Sequence, residues 1–277
     1  MRINIKRPAI VITALAIGLL LCYGVFVERY LIQVNTYDAH FHNLPAEFNG
    51  FKILIVTDLH YGTLMPEFWV RRVLEKANGA GADLIVCLGD YVRKRNTGAD
   101  LRAVWPMLKK LRSPHGVYFV NGNHDHWADE DLALKLLRDS GGSLRHTHAF
   151  VRKGASSIAV AGCGDFYEDF SGADTALRDV PEKTFRIALA HNPDTADLPR
   201  GARVDLFLCG HTHGGQVIIP FIGRSIMLPV LNKNYNYGLK TGLHNEKIFI
   251  SRGIGWAIFP IRLNCRPELA IVRLLRE

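Results

Sequence analysis

The chain has 277 residues, 48% hydrophobic and 22% charged, with a formal net charge of +8. That apolar fraction excludes a disordered chain, and the length suffices for one large domain or two small ones. Five cysteines (Cys22, Cys87, Cys163, Cys209 and Cys265) are odd in number and contain no CxxC pair, which excludes a disulfide scaffold, a zinc ribbon and a thioredoxin-type site.

The first predicted element runs from Pro8 to Val27, a stretch of 20 residues without a charge. At a helical rise it spans roughly 30 Å, the thickness of a bilayer's hydrocarbon layer. A cleaved signal peptide would have a shorter apolar core ending at small residues, and no such site follows. Residues 1–29 are therefore expected to be a retained, single-pass membrane anchor. Arg2, Lys6 and Arg7 precede the span, whereas Arg29 is outnumbered beyond it by Glu28, Asp38 and Glu47. The basic side stays in the cytoplasm, which places residues 30–277 on the far side.

From about residue 30 the chain reads as one α/β unit. Apolar runs of strand length occur at Lys52–Thr57, Leu84–Leu88, Val117–Val120, Ile158–Ala161, Phe185–Ala190, Asp205–Cys209, Gln216–Ile219, Lys247–Ser251 and Leu269–Leu275. Helical patterns lie at Pro66–Asn78, Ala99–Leu111 and Ala128–Asp139. The second half is richer in strands than in helices, which points to two packed sheets rather than one doubly wound sheet.

Five of these strands end in polar, metal-capable side chains: Asp58-Leu59-His60, Gly89-Asp90, Asn121-Gly122-Asn123-His124-Asp125, His191-Asn192-Pro193-Asp194, and Gly210-His211-Thr212-His213. A single Asp after a strand is ordinarily a turn or cap, and a single HxH is ordinarily a loop. Five such groups in register with strand ends are different, because open α/β sheets collect ligands at that edge. Residues two apart on a fraying strand point the same way, so Asp58 and His60, or His211 and His213, can reach one space. Gly89, Gly122 and Gly210 let the backbone approach a crowded site. Nitrogen and oxygen donors without thiolate suit Mn²⁺, Fe or Zn²⁺. The candidates are too many for one ion and match two ions sharing a carboxylate, an arrangement suited to in-line displacement at phosphorus.

The motif order DxH…GD…GNHD…H…GHxH resembles the calcineurin-like metallophosphoesterases. The HNPD at 191–194, GHTHGGQ at 210–216 and RLNCRPE at 262–268 are similar to the YaeI/YkuE-type branch of small membrane-anchored bacterial phosphodiesterases. Relatives of that branch include the UDP-2,3-diacylglucosamine pyrophosphohydrolases of lipid A biosynthesis. The resemblance implies a four-layer α/β-β/α sandwich, two mixed β-sheets flanked by helices. It implies that Asp58, His60 and His213 hold a first divalent metal, Asn123, His191 and His211 a second, and that Asp90 bridges them. His124 would stay off the metals, positioned by Asp125, to stabilise the transition state or protonate the leaving oxygen. Mn²⁺ is the expected ion, with Fe or Zn²⁺ as alternatives.

The expected function is two-metal hydrolysis of a phosphate diester or pyrophosphate, with a lipid-linked substrate such as UDP-2,3-diacylglucosamine, at a bacterial inner membrane. One conflict attends that substrate: it is made on the cytoplasmic side, whereas flanking charge points the domain outward; an exported phosphodiesterase acting on envelope phosphates avoids the conflict, and the substrate stays open. A serine/threonine protein phosphatase or a monoesterase would use the same metals. A non-catalytic scaffold should have lost ligands, and none is missing. Lys and Arg are scattered without an aromatic-interleaved stripe, so the positive charge reads as a bias toward phosphates or lipid surfaces and not nucleic acid.

Other residues fall outside this pattern. Arg93-Lys94-Arg95 either line the mouth of the site or form a solvated turn. Arg252, Arg262 and Arg266 match the branch without a task, and buried ion pairing is an equal expectation for them. His40, His42, His115, His126, His146, His148 and His244 are expected on the surface, and Cys87 and Cys209 in the core. The segment Trp256–Ile261 reads as a packed loop or as a contact to membrane or acyl chain.

Overall fold

The computed structural model describes residues 6–219, 225 and 228–277. Arg2 lies outside the described residues, as do the side chains of Lys6 and Arg7. Helix α1 (Lys6–Phe26) is, among the described residues, the one helix long and apolar enough to cross a membrane. From residue 9 to 22 its side chains are exposed, Leu19 at 72% for instance, so the domain supplies no core for that stretch.

The rest forms two mixed sheets. The first contains β1 (Gln33–Phe41), β11 (Glu268–Arg276), β2 (Lys52–Val56), β3 (Leu84–Cys87) and β4 (Val117–Phe119), in that order across the sheet. Strands β2, β3 and β4 are parallel, and β11 runs against β2. The second contains β5 (Thr147–Lys153), β6 (Ser156–Gly162), β7 (Phe185–Leu189), β8 (Leu206–Cys209), β10 (Lys247–Ile250) and β9 (Gly238–Thr241). Its four central strands are parallel and both edges antiparallel.

Period-two alternation explains the layering, because successive side chains on a strand face opposite ways. Ile53 and Ile55 of β2, Leu84 and Val86 of β3, Phe185, Ile187 and Leu189 of β7, and Leu206 and Leu208 of β8 fill the space between the sheets. Leu54, Val56, Ile85 and Cys87 face the other way, onto helices α2 (Glu67–Asn78), α3 (Gly98–Leu108) and α4 (Asn123–Arg138). Ala188, Phe207 and Cys209 face outward onto the short helix α5 (Ala173–Ala176) and the surrounding loops. Burying each such Val, Leu, Ile or Phe contributes about 1.5–3 kcal/mol, which is why both faces of the central strands are apolar.

Three strands differ from the sequence pattern. β1 and β9 are edge strands whose residues alternate between exposed and more buried positions, and three of the seven residues of β5 are exposed, so none presents an apolar run. Conversely, Gln216–Ile219 is not a strand. Among the described residues it makes only isolated bridges, Val217 to Leu263 and Ile218 to Ser225, after a left-handed turn at Gln216. Helix α4 begins at Asn123 rather than Ala128, and it is broken at Asp129, whose φ is −175°.

Candidate metal centre

The carboxyl ends of β2, β3, β4, β7 and β8 meet at one edge of the sandwich. After β2 and β3 the chain stays zipped beyond the strands: Asp58 N donates to Gly89 O and His60 N to Asp90 O, both at 3.0 Å. After β7 and β8, Gly210 N donates to His191 O at 2.9 Å. Three glycines permit the crowding. A Cβ on Gly89 would stand 2.2 Å from Gly122 N, one on Gly122 2.4 Å from Asp90 Oδ1, and one on Gly210 2.2 Å from Thr57 Oγ1.

Asp58, His60, Asp90, His211 and His213 all have φ between 50° and 66°. This is the left-handed region, which costs a residue with a Cβ about 1 kcal/mol or more. Five of the predicted ligands therefore share a strained backbone, a feature no spacing argument anticipates. The strain turns each side chain away from the strand direction and into the crevice.

The side chains converge as two groups joined by one carboxylate. In the first, His60 Nε2 lies 3.0 Å from His213 Nε2, and His213 Nε2 lies 3.5 Å from Asp58 Oδ1. In the second, His191 Nε2 lies 3.1 Å from His211 Nδ1. Asp90 Oδ2 stands 3.5 Å from His60 Nε2 and 3.2 Å from His191 Nε2, so it reaches both. All of these residues are buried.

The donors fit metal ions. Imidazole nitrogens 3.0–3.1 Å apart match two ligands at about 2.0–2.1 Å from one shared ion. Asn123 Oδ1 is buried without a hydrogen-bond partner, as expected of an oxygen meant for a cation. In two of the four histidines the ring nitrogen pointing away is fixed in the manner of a metal ligand: His191 Nδ1 donates to Leu88 O at 2.7 Å and His211 Nε2 to Pro229 O at 2.9 Å.

Electrostatics agree. Burial, then the neighbouring His60 and Arg262, hold His213 well below its usual pKa, and burial with His124 does the same to His60. Burial and His191 lower His211 to about 3. These three imidazoles are thus neutral, the form that ligates. Burial works against ionised Asp90, but the charges of His191 and His124 outweigh it and keep Asp90 an anion.

His124 sits half-buried at the rim, its ring centroid 4.6 Å from that of His60 and 4.7 Å from that of Trp127. Its Nδ1 bonds the carbonyl of Arg93. Asp125 does not hold that ring. From the third position of α4 it reaches back to Gly122 N at 3.0 Å and on to Asp90 N and Tyr91 N, each at 2.9 Å. It ties the GD loop to the GNHD loop, and the Arg93 carbonyl fixes the imidazole instead.

The remaining expectations divide, some met and some not. The Arg93 guanidinium is committed to the carbonyls of Ala257 and Ile258, at 2.8 and 2.7 Å, rather than open to a phosphate. Arg252 pairs with buried Glu268 at 2.8 Å. Among the loose histidines His126 is buried, whereas His40, His42 and His244 are exposed and the others partly so. Cys87 and Cys209 are fully buried.

Sequence reasoning missed the task of Arg262. Fully buried, it donates to the carbonyls of Gly255, Arg252 and Cys265 and lies 3.4 Å from His213 Nδ1. The RLNCRPE motif singles out Arg262 but gives no hint of this task.

Residues 51–215 match the calcineurin-like phosphoesterase family. The Bacillus subtilis protein named uncharacterized metallophosphoesterase YkuE is 30% identical, over 91% of this chain and 88% of that one. Phosphodiesterase YaeI of Escherichia coli is 31% identical, over 81% of this chain and 82% of that one. Among solved structures, TT1561 of Thermus thermophilus is 16% identical, covering 74% of this chain and 91% of that one with a TM-score of 0.47.

Proposed function

The chain belongs to the calcineurin-like phosphoesterase family and is a metal-dependent phosphoester hydrolase, and on that footing we propose that it cleaves a phosphate diester or pyrophosphate. Asp58, His60 and His213 would hold one divalent ion, and Asn123, His191 and His211 the other, with Asp90 serving both. The observation that carries this reading is Asp90 Oδ2, within 3.5 Å of a donor in each group. Bound ions would supply positive charge for the phosphoryl oxygens and a water acidic enough to be hydroxide near neutral pH. Mn²⁺, Fe and Zn²⁺ all suit the nitrogen and oxygen donors, and Mn²⁺ is the first to try.

The chain's own groups do the rest. His124, with Nδ1 on the Arg93 carbonyl, keeps its other nitrogen for a proton and is the group to protonate the leaving oxygen. Asp125 holds the two loops that carry Asp90 and Asn123 in register.

Residues 1–29 serve as a membrane anchor for the domain at 30–277, supported by the length and apolarity of α1. Anchoring and net positive charge favour an anionic, lipid-linked substrate, and UDP-2,3-diacylglucosamine is the sharpest case. The test is turnover by the full chain with Mn²⁺ on UDP-2,3-diacylglucosamine, bis(p-nitrophenyl) phosphate, p-nitrophenyl phosphate and a phosphoserine peptide. Diester or pyrophosphate turnover should dominate. Faster cleavage of the monoester or the peptide would overturn the substrate class.

A further inference from the structure

The loop that closes the metal centre also grips the foot of α1. Arg262 N donates to Gly24 O at 3.2 Å, and a Cβ on Gly24 would stand 2.9 Å from Arg262 O, so helix and loop pack without a gap. Glu28, buried, accepts from Cys265 N at 2.8 Å. The Arg29 guanidinium lies over Tyr30 and Trp256 and donates to Pro260 O at 3.2 Å. The same loop reaches the site: Gly255 N donates to Asp58 O, and Arg262 stands behind His213.

Between these fixed points two side chains project outward. Ile258 is 59% and Phe259 60% exposed, while Trp256 and Arg262 on either side are buried. Their exposure is not slackness, because Arg93 holds the Ile258 carbonyl and Gln216 Nε2 holds the Phe259 carbonyl at 2.7 Å each. At the foot of α1, Phe26 (70%) and Val27 (44%) extend the same apolar exposure. Beside them a cleft of about 880 Å³ runs from His213 and Gln216 past Tyr237 to Ile258.

We propose that Ile258 and Phe259 form a lip that seats in the headgroup layer of the bilayer, so that the cleft beside His213 opens onto the membrane surface. The proposal rests on α1 as a membrane span. The occupant is lipid because the lip is continuous with the foot of that span, and pinned apolar side chains at such a foot are stabilised by the interface. An amphiphilic phosphoester could then present its phosphate to the metal centre while its acyl part stays in the membrane.

The test uses the full chain in vesicles of phosphatidylcholine and phosphatidylglycerol, with or without acyl-chain-brominated phosphatidylcholine. Phe259→Trp and Ile258→Trp are compared with Leu243→Trp, which is 70% exposed in the turn before β10, at the end of that strand away from the site. Most of the emission added by Trp at 258 or 259 should be lost in brominated vesicles, and that added at 243 retained. Chains that float with the vesicles but keep the 258 and 259 emission would overturn the lip while leaving the anchor intact, as would equal quenching at 243. Chains that do not float would overturn the anchor and the lip together.

Discussion

The main-chain N–H of His124 donates to Oδ1 of Asp90 at 2.9 Å. One oxygen of the central carboxylate is thereby tied to the first turn of α4, and the other is left facing His60 and His191. The GNHD segment thus orients the group that joins the two halves of the centre.

Asp90→Asn tests that joint. An amide keeps the shape but removes the anion and leaves one oxygen where two were used. Metal content by elemental analysis should fall and activity should be lost with it. Full metal content in the variant would refute the bridging role.

His124→Ala tests the proton role. Since the ring is held by a carbonyl rather than by the donor groups, metal content should be unchanged. The turnover number should drop ~10²–10⁴-fold, the range for loss of a general acid. Near-normal turnover would remove His124 from the chemistry.

Asp125→Asn separates two tasks. Three main-chain amides point at this carboxylate at 2.9–3.0 Å, and an NH₂ group would face one of them. Stability should fall by about 1–3 kcal/mol, the cost of a buried donor left unmade, and metal should be held less tightly. The pH dependence of turnover should keep its shape, because the His124 ring is fixed elsewhere. A shifted pH profile with unchanged stability would show instead that Asp125 acts through His124.

Above pH 6.5 the metal-free protein should lose stability as the pH rises. Burial disfavours charged His191, but Asp90 outweighs it and raises the imidazole from 6.5 to about 10. The folded state therefore keeps a proton that the unfolded chain releases above pH 6.5, so this contribution is complete below 6.5 and lost as pH rises through about 10. A metal must displace the His191 proton, so stabilisation by Mn²⁺ should grow over the same interval. Melting curves with and without Mn²⁺ measure both trends, and a metal-free Tm that climbs over this interval would contradict them.

The flanking charge gives an expected orientation that a reporter fusion tests. An alkaline phosphatase fused at the C-terminus should be active if the domain is exported. Silence there, with an active cytoplasmic reporter, would reverse the orientation.

The metal-centre pattern and the central strands are legible in one dimension because they obey local rules. Strands β2, β3, β7 and β8 are buried on both faces, so their apolar runs are continuous. Each ends where its polar residues begin, so the candidate ligands can be found without knowing how the strands pair. Edge strands such as β1, QVNTYDAHF, need cover only one face and therefore look like loops. Gln216–Ile219 fails in the opposite way: its apolar residues promise a strand, but the Gln216 side chain bonds Phe259 O and Ala257 N, drawing the segment to the loop that closes the site.

From its residues alone, this protein was committed to a long apolar N-terminal stretch, an α/β core and a set of nitrogen and oxygen donors at strand ends. Only the folded chain decided what supports those donors: left-handed backbone at five of them, a carbonyl rather than Asp125 behind His124, and a buried Arg262 behind His213. It also decided that the foot of α1 and the rim of the centre share one loop. Periodicity and motif order are properties of neighbours along the chain, whereas backbone strain, buried charge and contacts between residues 24 and 262 exist only after distant segments have packed.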